Sequence, residues 1–419
     1  MLARASSEGR EPEGMHRIPL LRTSAGRAAG VAVLVLIVLV AVGVGVLWPR
    51  AEVPELENIV GGEAQQAEVV RVTTGTCESY AGPGCKLAEI RLKTGANAGK
   101  NSYVSLPPDR FAPSLRSGDQ IRVFRNAPAG IDPDLAAQLP IDDPSQMPFA
   151  FVDFERTGSI GWLALAFAAL VLLLGRLQGA RSLLGLAASL VLVVGFVVPA
   201  ILDGSPPLLV ALVGSLAVML ATIGLTHGIT LKSAAAVLGT TIALVLTALL
   251  ALLWVRVAHI TGFSSEAAEL LNVQTGSRLS LQGLVLAGMV IAALGVLDDV
   301  TVSQASTVLA LRRANPAMSA TRLFTEGMDV GRDHLSATVN TLVLAYVGAA
   351  LPVLLIFSTQ GTSLGDALNR EVVATEIVAM LVGSLGLIAA VPLTTALAAA
   401  LAARVPAVAL PDNLHEHAH

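Results

Sequence analysis

Long runs of apolar residues constrain this chain more than any other feature. A helix that crosses a bilayer needs about 20 mostly apolar residues. Eight stretches meet that standard: roughly 28–48, 158–175, 182–202, 207–226, 233–255, 279–297, 335–358 and 375–403. Charges or Pro/Gly/Asp clusters separate them. Only 14% of residues are charged and mean hydropathy is +0.70, whereas a soluble domain is about a quarter charged. These values exclude a disordered chain and argue against a soluble enzyme. The formal net charge of -4 gives no reason to expect nucleic acid as a partner. The expected fold is an all-α polytopic membrane protein with about eight transmembrane helices, and its first partner is the lipid bilayer.

The first run follows a basic segment holding Arg4, Arg10, Arg17, Arg22 and Arg27. It is longer than the core of a secretory signal peptide and ends in Leu47-Trp48-Pro49-Arg50. An uncleaved anchor is therefore expected, with residues 1–27 in the cytoplasm. Arg176, Arg181, Lys232, Arg312, Arg313, Arg322 and Arg332 fall in the loops this topology places inside. Trp48, Trp162 and Trp254 fall at outer ends of spans, where indole rings favour the membrane interface. An even number of spans puts both termini inside, with 158–404 as a seven-helix membrane domain and 405–419 as a cytoplasmic tail.

Residues 49–157 differ from the rest. Short alternating runs at Glu68 to Thr73, Leu87 to Leu92, Tyr103 to Leu106, Gln120 to Phe124 and Phe149 to Phe154 are bounded by Gly, Pro and Asn. They predict strands of a small β-rich, OB-like or SH3-like extracytoplasmic barrel between helices 1 and 2. Arg116-Ser117-Gly118-Asp119 reads as a tight turn into the fourth strand, and the Pro/Asp-rich 126–148 as a loop back to the membrane. Both cysteines, Cys77 and Cys85, lie in this domain. In an oxidising compartment a local disulfide is the expected state, with two free thiols as the alternative.

Polar groups inside the apolar runs are the functional candidates. Asp298 and Asp299 end an uncharged span, and Val300 to Ser306 can continue it as a helix that puts Asp299, Ser303 and Ser306 on one face, with Thr301 and Gln304 nearby. In the next span Asp333, Ser336 and Asn340 form one stripe and His334, Thr338 and Thr341 another. Such stripes have no reason to face lipid. The expectation is that they face each other, water or an ion, between the sixth and seventh helices. With His227 they would hold a hard cation or relay protons. The alternative is that Asp298 and Asp299 only mark a helix exit near Arg312, Arg313 or Arg332. Residues 316–330, opened by Asn315-Pro316, suggest a short helix on the inner membrane surface covering the acidic site, or a plain loop.

The ends of two spans also resemble each other. Ile223 to Thr230 can be laid over Leu294 to Thr301, 71 residues on, with Gly224 over Gly295 and Thr230 over Thr301. Transporters are often built from internal repeats, although helices of similar composition match by chance. The tail from Leu414 to His419 carries alternate histidines, which suit either a metal or a solvated end.

No HExxH or Walker A pattern occurs, and neither an enzyme nor a cofactor is expected. An aspartyl protease would require Asp298 or Asp299 to meet Asp333.

Residues 295–306 (GVLDDVTVSQAS) and 331–346 (GRDHLSATVNTLVLAY), with Gly348 to Pro352, resemble the YibE/F-like family of bacterial multi-pass membrane proteins. The resemblance covers about 150 to 419 and implies a bacterial cytoplasmic-membrane protein. It carries over no catalytic residue. Two readings of function follow. One is a permease or ion/proton-coupled transporter whose coupling ion or proton binds at Asp299, with Asp298, Asp333, His334 and Asn340 completing the path. The other is an envelope assembly or sensing protein whose β-domain binds an envelope partner. The oligomeric state is left open.

Overall fold

The computed structural model describes residues 23–50, 64–75, 85–95, 97–107, 113–125, 149–264 and 266–405. The chain divides into two compact units, Pro54–Leu174 and Met1–Val53 with Gly175–His419.

The first unit holds a closed five-stranded barrel: β1 (Gln65–Gly75), β2 (Cys85–Leu92), β3 (Asn101–Leu106), β4 (Gln120–Arg125) and β5 (Phe149–Phe154). The strand order is β1-β2-β3-β5-β4, with β4 returning to β1. All pairings are antiparallel except β3 with β5, which meet in parallel at Val104 and Phe149. Period-two alternation builds this. Ser102, Val104 and Leu106 point inward from β3, and Ile121 and Val123 from β4. The four apolar residues among them join Val69, Ile90, Leu92 and Phe149 in one core. Register shifts at Val69/Arg71 and Arg122/Val123 supply the extra twist that a small closed barrel needs. The 116–119 turn forms as expected. The Asp119 N–H donates to Arg116 O at 3.1 Å, the Asp119 carboxylate accepts the Arg116 N–H at 2.7 Å, and Gly118 takes φ 94°. Cys77 and residues 126–148 lie outside the described residues, and with them the expected disulfide and loop.

Among the described residues seven helices are long and apolar enough to cross a membrane: α1 (Ser24–Leu47), α2 (Thr157–Leu202), α3 (Pro207–His227), α4 (Leu231–Val257), α6 (Leu281–Ala314), α7 (Ala320–Thr359) and α9 (Glu371–Ala403). Two short helices, α5 (Glu266–Gln274) and α8 (Leu364–Asn369), lie in connections. α2 carries two of the expected apolar runs. Its helix is interrupted at Arg176 (φ 48°, ψ -129°), where the sequence separates them. Two other expectations are corrected. α7 is one continuous helix of 40 residues, neither a surface helix followed by a span nor a loop. Its cap is Ser319, whose hydroxyl accepts the Arg322 N–H, while Asn315 and Pro316 form the turn before it. Phe324 and Met328 pack on the core, so this part of α7 is held by the bundle.

α4, α6 and α9 form the centre of the second unit. Small residues let them approach. A Cβ on Gly239 of α4 would overlap the Thr394 hydroxyl of α9, and one on Gly386 of α9 would overlap the Thr247 hydroxyl of α4. The two glycine–threonine pairs run in opposite order along two antiparallel helices, each threonine filling the gap its partner glycine leaves. α7 closes on this trio through Gly327 and Gly331. Gln304 is buried there, donating to Gly327 O at 2.6 Å and to the Thr395 hydroxyl at 2.8 Å.

Candidate functional site

A cavity of about 420 Å³ opens between α2, α3 and α6. Its α2 wall holds Ser189, Val193 and Val197, and residues Val193–Val197 form a π-helical turn in which the Val198 N–H reaches back to Val193 O. Pro199 accounts for the change of register. It has no N–H to give, and its ring would press on the carbonyl four residues earlier in a regular helix. The α3 wall runs from Gly214 to His227, about 20 Å of helix. The α6 wall holds Ile291, Leu294, Gly295, Asp298, Asp299 and Val302.

The polar atoms fall along a line. Ser215, Thr222 and Thr226 lie at i, i+7 and i+11 on α3, one face of a helix, with His227 at its end. Asp298 stands opposite Thr222, whose hydroxyl donates to Asp298 Oδ2 at 3.3 Å and to Met219 O at 3.1 Å. Among the described residues the other carboxylate oxygen, Asp298 Oδ1, is buried with no hydrogen-bond partner. The Ser215 hydroxyl is likewise buried and has no partner among the described residues. Asp299 lines the same cavity but is exposed. Among the described residues no ion pair reaches either aspartate. Arg312 donates to Pro316 O, Met318 O and Ala403 O, and Arg332 pairs with Asp329 at 2.6 Å. The alternative that the two aspartates only mark a helix exit does not fit the helix they lie in. α6 runs unbroken past both aspartates to Ala314.

Of the residues singled out by sequence, the cavity brings together Asp298, Asp299 and His227. His227 Nδ1 lies 3.5 Å from Lys232 Nζ. Thr301 and Gln304 sit on another face of α6. Thr301 is fully buried, donates to Asp298 O and meets the Thr240 hydroxyl of α4 at 2.5 Å. Gln304 is the buried tie to α7 and α9 already described. Ser303 is half-buried and outside the cavity lining. The expected facing of α6 and α7 stripes is not found. Asp333, His334, Ser336 and Asn340 are exposed on α7 and do not line the cavity. Ser336, Thr338 and Thr341 turn their hydroxyls back onto Arg332 O, His334 O and Ala337 O of their own helix. Sequence reasoning missed Ser189, Ser215, Thr222 and Thr226. The hydroxyl spacing along α3 carried the signal for the last three.

The two segments of the suspected repeat face each other across this cavity, and their second halves then diverge. α3 stops at Gly228, whose φ 64° and ψ -168° suit glycine and few other residues. The chain restarts with Thr230 capping α4 at the Ser233 N–H. In α6 the equivalent positions, Asp299 and Thr301, continue the helix. Asp298 thus occupies the place that His227 holds in the first copy.

No curated protein and no solved structure matches this chain. The YibE/F-like protein family model matches residues 163–404, which include every wall of the cavity and more than half of the sequence, and the chain belongs to that family.

Proposed function

We propose that this protein is a permease or ion-coupled transporter of the bacterial cytoplasmic membrane, with Asp298 as the residue that binds the coupling ion or proton. The observation that carries the reading is the Asp298 carboxylate, with one oxygen buried and unpartnered in a cavity among long apolar helices. A buried carboxylate oxygen left unpaired among apolar helices is costly, and charged groups at membrane depth are functional candidates by default. The cavity follows α3 from near its middle to its C-terminal end, so it serves as a half-membrane vestibule open on one side. The distribution of basic loop residues supports a cytoplasmic position for that end. Counting α2, 46 residues long and interrupted at Arg176, as two crossings gives eight, with both termini inside. Strand order and the parallel β3–β5 pair support an OB-like class for the extracytoplasmic barrel.

The site lies between α3 and α6, with Asp333, His334 and Asn340 outside it. The test is flux into liposomes containing the purified protein, following internal pH and cation content. Asp298→Asn is expected to abolish flux and Asp333→Asn to leave it near wild type. Absence of flux for every ion tested with folded wild-type protein would reject the reading and favour an envelope-binding role for the barrel.

A further inference from the structure

A second cavity, of about 360 Å³, lies between α1, α3 and α4. Gly30, Leu34 and Ile37 of α1 line it, with Ile223 and Gly224 of α3 and Val237 of α4. It shares α3, and Ile223 on it, with the Asp298 cavity, and no other wall. Its lining holds no charged residue, and its two hydroxyls, Thr230 and Ser233, are bonded to each other at 2.8 Å. The walls are bare on the outer side, where Leu34 is 60% and Ile229 72% exposed. Gly224 supplies space, because a Cβ there would meet no atom within 4 Å. Along α1 the lining runs from Gly30 to Ile37, about 10 Å of helix. That is about a third of the hydrocarbon thickness, reached from the N-terminal end of the span. An apolar slot open at the side of membrane-crossing helices is filled by the solvent around it, and in a bilayer that solvent is an acyl chain.

Charge at one end of the slot selects the headgroup. Arg27 precedes Gly30 by three residues and Leu34 by seven, so it stands on the groove face of α1, one turn nearer the membrane surface. Helical side chains lean toward the N-terminus, which carries its guanidinium outward to headgroup level. Arg27 is exposed, and among the described residues its side chain has no ion pair. Lys232, one residue before Ser233, adds a second positive charge at the same end, its ammonium 3.5 Å from His227 Nδ1. No Asp or Glu occurs anywhere in α1, α3 or α4, so the groove walls supply no counter-charge. We infer that this groove seats one chain of an anionic phospholipid, with the headgroup phosphate at Arg27.

The test is native mass spectrometry of the full chain released from nanodiscs made of equal parts phosphatidylglycerol and phosphatidylcholine. The expected result is a lipid that stays bound after the surrounding lipids are stripped, enriched in phosphatidylglycerol. Arg27→Gln should lower that enrichment about fivefold, one basic residue's share of the attraction at a membrane surface. Gly224→Leu places a side chain in the slot and should abolish retention of either lipid while keeping the wild-type helix content by circular dichroism. Asp298→Asn should retain lipid as wild type does, which separates this groove from the acidic cavity. Should Gly224→Leu fail to fold, Arg27→Gln decides. Undiminished retention in Gly224→Leu, unchanged enrichment in Arg27→Gln, or a wild-type chain that retains no lipid, alone or as a dimer whose second copy fills the groove, would overturn the inference. None of these readouts uses flux, so the outcome stands apart from the transporter reading.

Discussion

Two faces of α6 carry polar residues through the apolar bundle, and they are treated in opposite ways. On one face Thr301 and Gln304 are closed off by partners on α4, α7 and α9. On the other, Asp298 and Asp299 look into a cavity, and one Asp298 oxygen has no partner. A satisfied polar group in a low-dielectric interior fixes how helices pack, whereas an unsatisfied one destabilises the fold until a ligand or water meets it. The difference separates residues that hold this bundle together from residues available for chemistry, although both read as polar positions in an apolar helix.

Substitutions can break this contrast, and the largest effect should come from the packed side. Gly239→Ala or Gly386→Ala pushes a methyl group into the Thr394 or Thr247 hydroxyl. Each should destabilise the bundle by about 2–3 kcal/mol, measured by denaturant unfolding in detergent. Gln304→Leu removes the tie to Gly327 O and Thr395 and should cost about 2 kcal/mol in the same assay. Asp298→Asn sharpens the comparison by its opposite sign. It should leave stability unchanged or raise it by about 1 kcal/mol, while ion-dependent flux is lost. A loss of stability as large as that of Gln304→Leu would make Asp298 a packing residue. Thr240→Val should cost about 0.5–1 kcal/mol, because Thr301 keeps its bond to Asp298 O.

The smallest effect lies on the barrel surface. Lys93, 2.9 Å from Glu68, holds that carboxyl below its usual 4.5 by hydrogen bonding and charge. A lowered folded value means the stabilisation is present above the unfolded value and is lost as pH falls through the folded one. Amide protection of β1, corrected for intrinsic exchange, should therefore fall as pH drops from neutral through and below the usual carboxylate range. Lys93→Ala should flatten that dependence.

The barrel was legible because alternation has a fixed period. Val104 and Leu106 or Ile121 and Val123 point to the same side wherever the strand pairs, so the runs announced both their strands and their core. The helices were legible from length and apolarity, and the break in α2 from Arg176 and Arg181. The site was only half legible. Asp298, Asp299 and His227 stood out as ionisable groups at the ends of apolar runs. Ser215 and Thr222 did not, since a lone hydroxyl in an apolar helix usually bonds to its own backbone. Asp333, His334 and Asn340 gave as strong a signal as the aspartates, yet they lie on an exposed face of α7.

What the sequence determined by itself is therefore what depends on local geometry: membrane-length helices, an alternating barrel, the turn at Gly118 and a family resemblance in two polar motifs. The tertiary structure decided which polar stripe meets which. A helix periodicity shows that residues share a face but says nothing about the neighbour that face will find. Here the neighbour was α3, brought against α6 by close packing, and the α7 stripe was left outside. The same packing placed Ser215 and Asp298 in one cavity although 83 residues separate them along the chain.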